Sequence, residues 1–145
     1  MRPLKSRVCF RMRYLLDTDT CSYIMRSKPL SVLEKLQSVP MNDVLVSVVT
    51  VAELRYGVEK LVSPRLTQRV VDDFLAYLNV LPWCEAITPF YARIRHDLQT
   101  RGTLIGAMDL MIAAHALQEG AILVTNNTKH FSKVTGLKLE NWVVS

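Results

Sequence analysis

Three acids and an asparagine stand where short apolar runs end or helical patterns begin. Asp17 follows Tyr14-Leu15-Leu16, and Glu53 lies just past the β-branched run Val44–Val49. Asp109 opens a stretch with helical apolar spacing, and Asn126-Asn127 follow Ala121-Ile122-Leu123-Val124. Carboxylates gathered in one place repel each other unless a cation neutralises them. Hard oxygen donors suit Mg²⁺ or Mn²⁺, which keep water and bind phosphate oxygens. One or two such ions activate water and stabilise charge on a phosphodiester undergoing displacement. Taken singly, each residue has a plainer explanation. Asp17 fits a turn, Thr50-Val51-Ala52-Glu53 fits a capping box, and Asp109 fits the positive end of a helix dipole. Only a shared location distinguishes the two explanations.

The elements that must supply that location are legible. Tyr14–Leu16, Val44–Val49 and Ala121–Val124 read as buried strands, and Asn79–Trp83 as a short edge strand ending near Pro82. A further extended piece falls within residues 137–144. Helical spacing covers residues 20–38 in two pieces broken at Lys28-Pro29, with Asp19 as the N-terminal cap of the first. Thr50 opens a helix to about Leu61. Pro64 opens another through Val70, Val71, Phe74, Leu75 and Leu78. Thr88-Pro89 starts a helix stopped by Gly102, and Ala107–Gln118 forms one closed by Gly120. Strands alternating with helices predict an α/β domain with a mainly parallel sheet. Sites in such sheets lie beyond the carboxyl ends of the strands, which is where the four polar points fall.

Composition narrows the class. The chain has 145 residues, half of them apolar, and a net charge of +5. One ordinary domain is expected. Arg2, Lys5, Arg7, Arg11 and Arg13 place five basic residues and no acid in the first thirteen positions, leaving thirteen basic and thirteen acidic residues beyond them. The basicity thus belongs to the amino-terminal segment. Cys9, Cys21 and Cys84 form no C-x-x-C pair and have no zinc spacing, which excludes a disulfide scaffold and fits a reducing cytoplasm. Each is expected to be a small buried residue. No apolar run approaches the roughly 20 residues of a membrane helix, and Val8-Cys9-Phe10 is too short for a signal peptide's apolar region.

Five segments together resemble the PIN-domain family. They are Leu15-Leu16-Asp17-Thr18-Asp19, then Ser47-Val48-Val49-Thr50-Val51-Ala52-Glu53-Leu54-Arg55-Tyr56-Gly57, then Gly102 through Ala116 around Gly106 and Asp109, then Val124-Thr125-Asn126-Asn127 with His130-Phe131, and finally Gly136-Leu137 to Trp142. They occur in the family's order over about residues 12–142, and the nearest subgroup is the VapC-type toxins of type II toxin–antitoxin modules. The resemblance implies a three-layer α/β/α fold and a Mg²⁺- or Mn²⁺-dependent endoribonuclease with one or two ions. Asp17, Glu53 and Asp109 match the family's acidic catalytic and metal-binding positions. The fourth acidic position falls on Asn127, whose amide oxygen brings no negative charge, and Thr125 is a supporting hydroxyl. The implied reaction is in-line hydrolysis leaving a 5′-phosphate and a 3′-hydroxyl. RNA is the substrate, with tRNA the favoured class among tRNA, rRNA and mRNA. A VapB-type antitoxin is the implied inhibitor, packing on the helical region of Leu30, Val32, Leu33, Leu36 and Val39, and homodimerisation is common in the family.

Arg55, Lys60, Arg93, Arg95 and Arg101 are the candidates for holding phosphates beside the acids, giving salt-sensitive binding. His96, His115 and His130 share no helical face, and the mechanism requires no histidine. A phosphoacceptor domain would also set acids at strand ends, but no aspartate follows the second strand or its counterpart. A non-catalytic RNA-binding PIN domain is the other alternative, kept open by Asn127. Residues 1–11 read as a basic extension, either a disordered arm or an added start, and residues 12–145 as the PIN domain.

Overall fold

The structure is a computed structural model that describes residues 11–61 and 63–143. Five strands form one all-parallel sheet in the order β3-β2-β1-β4-β5. They are β1 (Tyr14–Leu16), β2 (Val44–Ser47), β3 (Asn79–Leu81), β4 (Ile122–Val124) and β5 (Leu139–Glu140). Between them lie α1 (Thr18–Arg26), α2 (Leu30–Ser38), α3 (Val48–Glu59), α4 (Gln68–Leu75), α5 (Thr88–Thr100), α6 (Ala107–Glu119) and the short α7 (Thr128–Phe131). β1 is central, its Leu15 in register with Leu45 of β2 and Leu123 of β4.

Side-chain alternation along these strands builds the layers. Leu15, Leu45 and Leu123 enter one core with Ile94 and Leu98 of α5 and Leu110 and Ile112 of α6. Tyr14, Leu16, Val44, Val46, Ile122 and Val124 enter the other with Ile24, Val32, Leu54 and Val71 from the first four helices. The continuous apolar runs of the sequence thus reflect a sheet covered on both faces, and the expected three-layer α/β/α architecture is present.

Several boundaries differ from the sequence reading. α3 begins at Val48, because the Ser47 hydroxyl accepts from the Val49 amide and caps the helix three residues earlier than the expected Thr50. Thr50 is therefore inside the helix, and its buried hydroxyl has no partner among the described residues. The cap of α1 is Asp17 rather than Asp19. α4 starts at Gln68, capped by Thr67, while Pro64 lies in the preceding turn. The stops were placed correctly: Gly102 and Gly120 both hold positive φ, and Gly120 caps α6 at φ 66°. Cys21 is buried as expected, but Cys84 is exposed. Cys9 and the proposed extension lie outside the described residues, apart from Arg11. That guanidinium forms an ion pair with the nearly buried Asp43 at 2.5 Å.

Candidate active site

The chain runs from β1 to β2 to β3 on one side, then crosses back to β4 on the other side of β1. The carboxyl ends of β1 and β4 therefore form a topological switch point, where helix starts diverge and leave a crevice. Asp17 is the first residue past β1. Its amide donates to the Val124 carbonyl at 3.0 Å, and its Oδ1 accepts from the Thr20 amide at 2.8 Å. Thr20 also donates through Oγ1 to the Val124 carbonyl at 3.1 Å. These bonds fix Asp17 between two strands while leaving it 5% exposed.

Glu53 lies in the second turn of α3 and accepts a hydrogen bond from the Thr18 hydroxyl. It does not reach back to the Thr50 amide as a capping box requires, since Thr50 is not at the helix start. Asp109 is in the first turn of α6, at the positive end of its dipole. Asn127 precedes α7, and its amide donates to Thr125 Oγ1 at 2.9 Å. Four distant segments thus bring Asp17, Asp19, Glu53, Asp109 and Asn127 to one recess of about 150 Å³, with Ile112 and Phe131 also lining it. Among the described residues no Lys or Arg lines it.

The electrostatics of Asp17 follow from this placement. Burial raises its pKa above the ordinary 3.8, and nearby Asp19 adds repulsion. Hydrogen bonds from Thr125 and Thr20 oppose the rise without removing it. A desolvated carboxylate among other acids is a site that gains from a cation. Among the described residues no three His, Cys, Asp or Glu side chains are placed to hold a metal ion together. The donor set nevertheless fits a hard divalent ion held by one or two carboxylates and completed by water. The recess has room for that water, at roughly 30 Å³ per molecule.

One member escaped the sequence reading. His130 Nε2 lies 3.0 Å from Asp109 Oδ2, and its ring meets the Phe131 ring edge-on at 5.2 Å. Position 130 is 21 residues away in sequence, so only its place one turn past Asn127 hinted at the contact. His115 is a core residue, as its apolar setting suggested, with Nδ1 2.7 Å from Ser47 Oγ. The five basic candidates stand outside the recess. Arg55 pairs with Asp72 at 3.0 Å, and Arg101 with Asp97 at 2.7 Å. Lys60, Arg93 and Arg95 lie over Tyr56, Phe90 and Tyr91.

An acidic recess at this switch point, built by these segments in this order, agrees with a family model described as the PIN domain, which matches residues 14–137. The chain belongs to the PIN-domain family. Its members include nucleases that depend on metal ions. This PIN domain is 39% identical over 132 residues to a protein named ribonuclease VapC2 from Haemophilus influenzae, covering 91% of this chain and 99% of the relative. It is 37% identical over 131 residues to a protein from Shigella flexneri named tRNA(fMet)-specific endonuclease VapC, covering 90% and 98%. Among solved structures, VapBC2 from Rickettsia felis, bound to a promoter DNA fragment, superposes with a TM-score of 0.83 at 38% identity over 90% of this chain and 99% of that one. FitAcB from Neisseria gonorrhoeae gives 0.80 at 32% identity, covering 91% and 99%. This PIN domain therefore falls in the VapC ribonuclease branch.

Proposed function

We propose that this PIN domain is the toxin of a type II toxin–antitoxin pair, a Mg²⁺-dependent endoribonuclease. The observation that carries the reading is the recess itself, where Asp17, Glu53 and Asp109 meet with no Lys or Arg in the lining among the described residues. Asp17 and Asp109 would hold Mg²⁺ or Mn²⁺, Glu53 would ligate it or orient water, and Asn127 would contribute a neutral oxygen. When bound, the ion supplies Lewis acidity toward a phosphodiester and lowers the pKa of water. The chain's own part is positioning. Thr20 and Thr125 fix the Asp17 carboxylate, Thr18 fixes Glu53, and His130 fixes Asp109. Ile112 and Phe131 restrict water on their side of the recess.

RNA is the substrate class, and tRNA is favoured because a relative carries that specificity in its name. A VapB-type antitoxin is the partner, as in the structures named VapBC. Val32 is buried in the core, and Leu33, Leu36 and Val39 pack against it. Only Leu30 of the expected docking face is exposed as a large apolar residue. Homodimerisation, cytoplasmic residence and a working domain beginning near residue 12 complete the reading. Among the described residues no helix is long and apolar enough to cross a membrane.

The test is cleavage of total RNA, with end sequencing, in Mg²⁺ and in EDTA. Cleavage is expected only with Mg²⁺, leaving 5′-phosphates. Asp17→Asn is expected to lower the rate by roughly 100-fold or more. Equal cleavage in EDTA, or wild-type rates from Asp17→Asn, would refute the proposal.

A further inference from the structure

A second groove, of about 380 Å³, adjoins the acidic recess and shares Asp19 with it. Met25, Leu66 and Val70 supply its apolar lining, while Arg26 and Arg65 bring positive charge. Neither arginine makes an ion pair among the described residues, unlike Arg55 and Arg101 on other faces. Arg26 carries its guanidinium over the Tyr23 ring, 5.1 Å from its centroid. Among the described residues the recess is lined by four acids with Thr18, Asn127, Ile112 and Phe131, and by no Lys or Arg to attract the phosphates that flank a cut.

We infer that this groove binds the ribonucleotide next to the scissile phosphodiester and confers base preference there. The inference rests on the ribonuclease reading above. The chemistry matches part by part. An apolar lining accepts a base that has left its stack, and arginine planes stack on bases. Free arginines attract the flanking phosphate. The Asp19 carboxylate, at the junction, accepts hydrogen bonds from a base amino group or a ribose hydroxyl. The volume falls within the range of pockets that enclose small ligands, and continuity through Asp19 places the neighbouring phosphate at the acids. A peptide could exploit the same apolar lining, but the two free arginines beside the phosphate-processing recess favour a nucleotide.

Two variants separate these occupants. Arg26→Ala/Arg65→Ala removes the charge from exposed positions, and Val70→Trp fills the groove. Mixed-sequence single-stranded oligoribonucleotides are cut in Mg²⁺ by each protein, with end sequencing and steady-state kinetics. The wild type is expected to show base preference at one position beside the cut. Both variants are expected to flatten that preference and raise KM at least fivefold, with kcat within twofold and the same end groups. Unchanged preference and KM in both variants would overturn the inference, including when co-expressed antitoxin no longer co-purifies, which would assign the groove to a peptide. Failure of the ribonuclease reading is seen separately, as no Mg²⁺-dependent cleavage by the wild type.

Discussion

Asp17 and His115 are both buried titratable residues, and they respond to pH with opposite sign. For Asp17 the folded pKa lies above the unfolded value. Below that unfolded value the full stability is present, and it is lost as pH rises through the folded pKa, because the fold must then hold a desolvated charge. Asparagine keeps the acceptor for the Thr20 amide without the charge. Asp17→Asn is therefore expected to melt higher than wild type at neutral pH in EDTA, and to lack the further rise with Mg²⁺ expected of the wild type, read by calorimetry. His115 is the reverse. Burial lowers its pKa below 6.5, so its contribution is complete above that value and lost as pH falls through the folded pKa. Urea midpoints are expected to fall from about pH 7 to 5, and less steeply in His115→Gln. His130 is expected to act through its contact with Asp109. His130→Ala is expected to raise the Mg²⁺ concentration for half-maximal cleavage roughly tenfold, with His130→Gln restoring part of it. An unchanged Mg²⁺ titration would remove His130 from the site.

At the scale of elements, the junction of β2 and α3 controls where Glu53 falls. Ser47 accepts from the Val49 amide at 3.1 Å and meets His115 of α6 at 2.7 Å, so one hydroxyl joins a strand end, a helix start and a packed helix. Nδ1 and the Ser47 hydroxyl share one hydrogen bond, while Nε2 is buried without a partner among the described residues. Ser47→Ala removes the cap and leaves a buried ring nitrogen unpaired. It is expected to cost about 2 kcal/mol in urea denaturation, with Ser47→Thr costing less. This junction departs from the local sequence pattern. Thr50-Val51-Ala52-Glu53 has the composition of a capping box, and so does a helix already begun at Val48. Local composition is satisfied by either register, and packing of Val49 and Leu54 into opposite cores selects the earlier one.

For the whole molecule, the charge of +5 is a poor guide to function. The acidic recess lies in a near-neutral domain, and the excess basic residues sit in the amino-terminal segment. One of them has a structural use. Arg11 pairs with Asp43, whose side chain is 6% exposed. Beginning the chain at Met12 removes that partner, and the expected loss is on the order of 1 kcal/mol, limited because Arg11 is half exposed. Chains begun at Met1 and Met12 are expected to cleave RNA equally but to differ in urea midpoint, with Arg11→Met matching the shorter chain. Equal midpoints would make the pair inconsequential.

The sequence by itself determined the strands, the helix stops and the parallel α/β class. Those depend on local facts: β-branched runs, glycines able to take positive φ, and apolar spacing. It also marked Asp17, Glu53, Asp109 and Asn127, through motifs kept in order along the chain. Tertiary structure alone decided which of their plainer roles were real. Asp17 is both a helix cap and a site carboxylate, whereas Glu53 caps nothing. The basic residues chosen for proximity along a helix stand outside the recess, because a helix face says nothing about which crevice it borders. The contact between His130 and Asp109 and the groove beside Asp19 were invisible for the same reason. Each is made by segments apart in sequence that only tertiary packing brings together.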